Sequence, residues 1–197
     1  MNLEKNLQKS IDLYLNNFGI IFLACLAVSI LSVISLGILA GPLCGGLLIL
    51  TLKILRNKPV EFNEIFTHFD KFLPTFLVCL ASGIGSLIVG NIPLIGVALG
   101  ILLCPFILVM ATIAVILVIE KDYPPFPALK EGLAFFKTDP LIIWIYGLIA
   151  SILSAIGAVA FGIGALLTIP FSVTCMAVAY HEYSEKEYFK VSGPDVH

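Results

Sequence analysis

His181-Glu182, followed by Glu185, is the nearest approach in the sequence to a hydrolytic centre. Two histidines four residues apart on a helix, with a glutamate between them, bind zinc and supply a general base. Here the residue four places after the first histidine is glutamate, so the pattern is H-E-x-x-E, which reads as a solvated cluster at a membrane edge. Glu61, Glu64, Asp70, Glu120 and Asp122 read as the wet faces and ends of amphipathic helices, and His68 lies on the polar side of one of them. His197 is a chain end. The five cysteines (Cys25, Cys44, Cys79, Cys104 and Cys175) fall in apolar runs with no C-x-x-C pair, as expected of small buried hydrophobes. The Gly-x-Gly pairs at 83–85 and 162–164 lack the lysine of a phosphate loop. Without an activated nucleophile or a metal set, the expectation is a non-enzyme with no cofactor.

The elements that carry these residues are set by composition. The 197 residues are 59% hydrophobic and 12% charged, with mean hydropathy +1.07. A soluble domain carries about 25% charged residues. The chain therefore reads as an integral membrane protein, and its net charge of −2 argues against nucleic acid as a partner. Its first residues, M-N-L-E-K-N-L-Q-K-S, do not resemble a cleaved signal peptide and are expected to stay in the mature protein.

Three uncharged runs, Leu13–Leu52, Phe72–Ile119 and Leu141–Tyr180, are each about twice the roughly 20 residues that cross a bilayer. Each must turn back within itself. Ser32–Gly37 or Gly41–Gly46 is the first turn, the former favoured by the repeat spacing; Gly90-Asn91-Ile92-Pro93 is the second, and Gly157–Gly164 holds the third. An amphipathic stretch precedes each run. Residues 2–17 place Leu3, Leu7, Ile11 and Tyr14 on one face. Residues 59–73 do the same with Phe62, Ile65, Phe66 and Phe69, opened by Pro59 and limited by Pro74. Residues 124–138 follow with Phe126, Leu129, Leu133 and Phe136, ended by Pro140.

The pattern recurs three times along the chain at a nearly constant spacing. Glu120-Lys121-Asp122-Tyr123 is echoed one repeat later by Glu185-Lys186-Glu187-Tyr188. Pro42, Pro105 and Pro170 each sit in the second half of a run. The predicted fold is an all-α membrane bundle of six transmembrane helices, arranged as three hairpin repeats, each preceded by an interfacial amphipathic helix. One membrane domain, 1–190, would hold the repeats (about 1–57, 58–121 and 122–190), with a polar tail at 191–197.

All eleven Lys and Arg (5, 9, 53, 56, 58, 71, 121, 130, 137, 186, 190) lie outside the three hairpin turns, and the thirteen acids distribute likewise. With six spans, every charge falls on one face. The positive-inside rule makes that face cytoplasmic, with both termini there, in a plasma (inner) membrane. No ionisable group lies between the ends of the spans, which argues against ion-coupled transport.

Gly41-Pro42-Leu43, the Gly45-Gly46 pair, Lys53 and F-N-E-I-F-T-H-F-D-K-F at 62–72 together resemble the widespread six-span bacterial and archaeal membrane proteins related to the membrane domain of glycerophosphoryl diester phosphodiesterases. The resemblance implies an inner-membrane helical module linked to lipids or envelope processes. In the fused enzymes a separate soluble domain performs hydrolysis; this chain has no room for it, and phosphodiesterase activity is not carried over.

Three readings of function follow. In the first, a collar of amphipathic helices touches membrane lipids, a protein partner or another copy of the chain through Phe62, Ile65, Phe66, Phe69, Phe126, Leu129, Leu133 and Phe136. In the second, a neutral or amphiphilic solute passes along a pseudo-threefold axis between spans kinked at Pro42, Pro105 and Pro170. The third, a lipid-modifying enzyme, ranks last for want of a nucleophile.

Overall fold

The computed structural model describes residues 3–91, 96–159 and 163–191. Among them every regular element is helical: α1 (Leu3–Asn16), α2 (Phe18–Ile34), α3 (Ala40–Leu55), α4 (Phe72–Gly90), α5 (Gly96–Lys121), α6 (Pro125–Thr138), α7 (Pro140–Val159) and α8 (Ile163–Val191). Two short 3-10 turns, Phe62–Phe66 and Phe69–Lys71, stand between α3 and α4.

Local chemistry sets the joints. The first tight turn lies at 35–39, the earlier of the two expected places. Leu36 and Gly37 take left-handed φ values of 51° and 82°, and Gly37 N–H returns to Ser32 O at 2.7 Å. The residues expected to turn at Ile92-Pro93 lie outside those described, as do 160–162 of the third turn. α1 meets α2 at 86° and α6 meets α7 at 110°. Asn17 marks the first bend, its side-chain amide donating to Leu13 O at 3.0 Å. Pro140 sets the second by forcing Asp139 out of the helical region, to φ −142°, ψ 71°.

α3 and α5 stop in the same way. Asn57 and Asp122, which hold equivalent places in the recurring sequence pattern, follow them with φ values of 53° and 55°. Asn and Asp enter the left-handed region more readily than other non-glycine residues. The next N–H then turns back onto the last turn, Lys58 to Lys53 O at 2.9 Å and Tyr123 to Leu117 O at 3.4 Å. At the third equivalent position, Glu187, α8 runs on to Val191.

Packing is cyclic. The inner helices α3, α5 and α8 touch one another. Each outer helix packs on its own inner partner and on the inner helix of the unit before it: α2 on α3 and α8, α4 on α5 and α3, α7 on α8 and α5. The elements that precede the outer helices follow the same rule, with α1 on α8, the 62–66 turn on α3, and α6 on α5. Leu48, Leu52, Ile113, Ile116 and Met176 meet in one buried cluster.

The outward faces are apolar. Along α4, Leu73, Leu77, Leu80, Ile84, Leu87 and Ile88 form a continuous stripe, exposed from 40% at Leu77 to 66% at Leu87, while Thr75 and Val78 face inward. Of the described residues, the stretch Phe62–Ile88 is long and apolar enough to cross a membrane on its own, and the bent pairs α1–α2 and α6–α7 qualify if each is taken as one span.

The structure corrects the stretch 59–73. It is not one amphipathic helix. Glu61 is extended (φ −118°, ψ 146°) and the chain then makes two separate 3-10 turns. Thr67 explains the break: its hydroxyl bonds back to Glu64 O at 2.8 Å and meets His68 Nδ1 at 3.1 Å, supporting tight turns over a continuing α-helix. Pro74 stands in the first turn of α4, where its missing N–H is not needed.

Candidate functional site

The charged residues gather where the inner helices end, and they tie one unit to another. Lys53, in the last turn of α3, reaches Glu64 of the following 3-10 turn (Nζ–Oε2 3.0 Å). Arg56, just past α3, pairs with Glu120 at the end of α5, and the Tyr180 hydroxyl of α8 donates to the other oxygen of Glu120 at 3.0 Å. Lys71 pairs with Asp122. The Asn6 amide of α1 donates to Glu182 of α8, and the Ser10 hydroxyl meets that of Tyr146 in α7 at 3.1 Å. Glu120 thus joins α3, α5 and α8 through one carboxylate.

The hydrogen bond from Lys71 to Asp122 is the main reason the Lys71 pKa is raised; the charges of Asp122 and Asp70 add to it, and desolvation opposes it. A raised lysine pKa contributes stability that is complete below the ordinary lysine value, near 10.4, and fades as pH rises through the higher folded value. Asp122→Asn is expected to keep the left-handed turn and to flatten this alkaline loss in melts above about pH 10. Asp122→Leu is expected to cost a further ~1–2 kcal/mol in the backbone. Equal melting of the two variants would detach the turn from the side chain.

Beside these pairs lies a cavity of about 500 Å³. Arg56, Glu120, Lys121, Tyr123 and Glu131 line its polar part, Tyr180, Tyr183 and Ser184 come from α8, and Ile113 and Leu117 close its apolar side. The sequence offered Arg56 and Glu120 only as helix ends. Their pairing between distant parts of the chain, and the convergence of three tyrosines, need the cyclic packing. The constant repeat spacing was the one usable signal, because it sets the ends of α3 and α5 level.

Of the predicted collar face, Ile65 is fully buried. Leu129, Leu133 and Phe136 are half-buried. Phe62, Phe66 and Phe69 are exposed by about 40% and Phe126 by 73%. The line that packs inward is offset from the apolar stripe: Asn6, Ser10 and Tyr14 on α1, and Ala128, Gly132 and Phe135 on α6. The phenylalanines at 62 and 66 meet edge to face at 6.2 Å.

The three prolines are all buried but sit differently in their helices. Pro42 falls in the first turn of α3, where a missing N–H breaks no helical bond. Pro105 and Pro170 lie inside α5 and α8. Pro105 packs on the outer helix α7, so closely that a Cβ at Gly147 would stand 2.8 Å from its carbonyl oxygen. Of the cysteines expected to be buried, Cys25 and Cys175 are buried free thiols, Cys79 is half-buried and Cys44 is exposed, and no group of three His, Cys, Asp or Glu among the described residues could hold a metal. No protein-family model, curated protein or solved structure matches the chain.

Proposed function

We propose that the chain is a non-enzymatic, multi-pass module of the plasma (inner) membrane. Its three helix pairs (α2–α3, α4–α5, α7–α8) are six spans in three repeats. Its charged end is cytoplasmic, with both termini there. The collar of α1, the two 3-10 turns and α6 contacts lipid headgroups or a partner protein. One observation carries the reading: an outward apolar stripe on α4 together with paired charges confined to one end of the inner helices. In water such a stripe would be a large exposed apolar patch; against lipid tails it is at no disadvantage. The near-right-angle bends before α2 and α7 support it, because they turn an interfacial helix into a span. The resemblance to the six-span membrane proteins points to the same class. The buried cluster of Leu48, Leu52, Ile113, Ile116 and Met176 between the inner helices weighs against a solute passage.

The experiment is paired. Cysteine labelling at positions 63 and 131 is expected to succeed from the cytoplasmic side; labelling only from outside would overturn the orientation. Phe66→Asp with Phe69→Asp is expected to weaken membrane assembly or binding. Unaltered assembly and binding would remove the collar's role.

A further inference from the structure

We propose that the cavity beside Arg56 and Glu120 binds a phosphate–ammonium zwitterion, the headgroup of a phospholipid such as phosphatidylethanolamine. The proposal rests on the membrane reading above, which sets the charged end at headgroup level. The cavity holds two cations, Arg56 and Lys121, and two anions, Glu120 and Glu131. A site for an anionic lipid needs an excess of cations. A balanced site suits a ligand carrying both signs.

The charges are also sorted. Glu120 is held by Arg56 and by the Tyr180 hydroxyl. Lys121 and Glu131 are exposed and form no ion pair among the described residues. They stand on different elements, Lys121 closing α5 and Glu131 midway along α6. Lys121, with the Arg56 guanidinium lining the same cavity, offers charge-assisted hydrogen bonds to a phosphate. Glu131 offers a carboxylate to an ammonium, and the rings of Tyr123 and Tyr183 supply aromatic faces that attract cations. Tyr183 is braced edge-on by Phe135 at 4.7 Å, so its ring is already in place before a ligand arrives.

The depth fits a lipid better than a free headgroup. Ile113 lies two helical turns before Glu120 on α5, about 10 Å along the helix, and with Leu117 gives the cavity an apolar wall toward the span. That wall suits the glycerol and the first methylenes of the tails. A cavity of about 500 Å³ is ample for the polar part.

The test uses the full chain in lipid nanodiscs containing equal amounts of phosphatidylethanolamine and phosphatidylglycerol with the same acyl chains. After extraction, native mass spectrometry counts the lipid that stays bound. The ethanolamine lipid is expected to exceed the glycerol lipid by about tenfold, a difference of about 1.4 kcal/mol. Lys121→Gln and Glu131→Gln are each expected to bring that ratio near one. Both positions are exposed, and size exclusion checks that the variants stay folded. Displacement of bound lipid by millimolar phosphoethanolamine would show that the headgroup suffices; displacement only by intact lipid would place the tails in the site as well. Either result upholds zwitterion binding. Equal retention of the two lipids by the natural sequence, or a ratio that both variants leave unchanged, overturns it while leaving the membrane reading standing. A chain recovered outside the nanodiscs would sink the membrane reading, and this proposal with it.

Discussion

Gly46→Ala and Gly132→Ala are expected to be the most damaging small substitutions in the protein, each lowering stability by about 1–3 kcal/mol. A methyl at Gly46 would sit 2.5 Å from the carbonyl oxygen of Ile65 and 2.8 Å from its Cα. A methyl at Gly132 would sit 2.6 Å from Met110 O. These neighbours are backbone, so no rotamer change can relieve the clash. The 62–66 turn would have to lift off α3, or α6 off α5. The two glycines occupy equivalent crossings in the cyclic packing, one on the inner helix and one on the collar helix. At the third crossing, α1 on α8, the close approach uses Ser10, which is fully buried. Thermal unfolding in detergent, followed by size exclusion, checks the claim. Gly83→Ala is the control, because nothing lies within 4 Å of its added methyl. If Gly46→Ala melted with Gly83→Ala, the close crossing would not matter to the fold.

The second large effect concerns insertion. Ile84→Lys places a charge in the outward stripe of α4, well inside the helix that starts at Phe72. A lysine near the middle of a span costs roughly 2.5–3.5 kcal/mol in translocon-mediated insertion. Membrane integration is therefore expected to fall about a hundredfold at Ile84, taking about 1.4 kcal/mol per factor of ten. Leu73→Lys, on the same stripe beside the charged end, is expected to have little effect, because its ammonium can snorkel to the interface. The dependence on depth is the discriminating result. A protein that simply became more soluble at both positions, with integration unchanged, would not have lipid against α4.

The order of the elements was legible from the residues. Uncharged runs twice the length of a crossing, separated by charged connections, led to the helix pairs, and Gly37 marked the first turn. The inward-packing line of α1 and α6 was not legible. The apolar stripes Leu3-Leu7-Ile11 and Phe126-Leu129-Leu133 were read as faces that touch lipid or a partner, and Ile11 and Phe126 are exposed, but nothing in the spacing marked Ser10 and Gly132 as the residues that pack inward. The physical reason lies in the environment proposed for them. Near lipid an apolar side chain loses nothing by facing outward, and close helix contact selects small residues. Periodicity then reports the lipid face as readily as the core. The 3-10 turns at 62–71 escaped for a different reason. Phenylalanine spacing suits an α-helix, and only the competing hydroxyl of Thr67 argues otherwise. The cavity escaped because Arg56, Glu120, Glu131 and Tyr180 come from elements that only the closed packing brings together.

That packing also sets a timetable for biosynthesis. Each unit leans on the one before it, and the first unit leans on the last, with α1 against α8 and Asn6 bonded to Glu182. α1 meets α2 early, but it lacks its main packing surface until α8 is made. Asn6 and Ser10, buried in the finished protein, lack their partners Glu182 and Tyr146 until α7 and α8 are made. Closure of the ring must therefore wait for α8, and until then the face of α1 that α8 covers stays open.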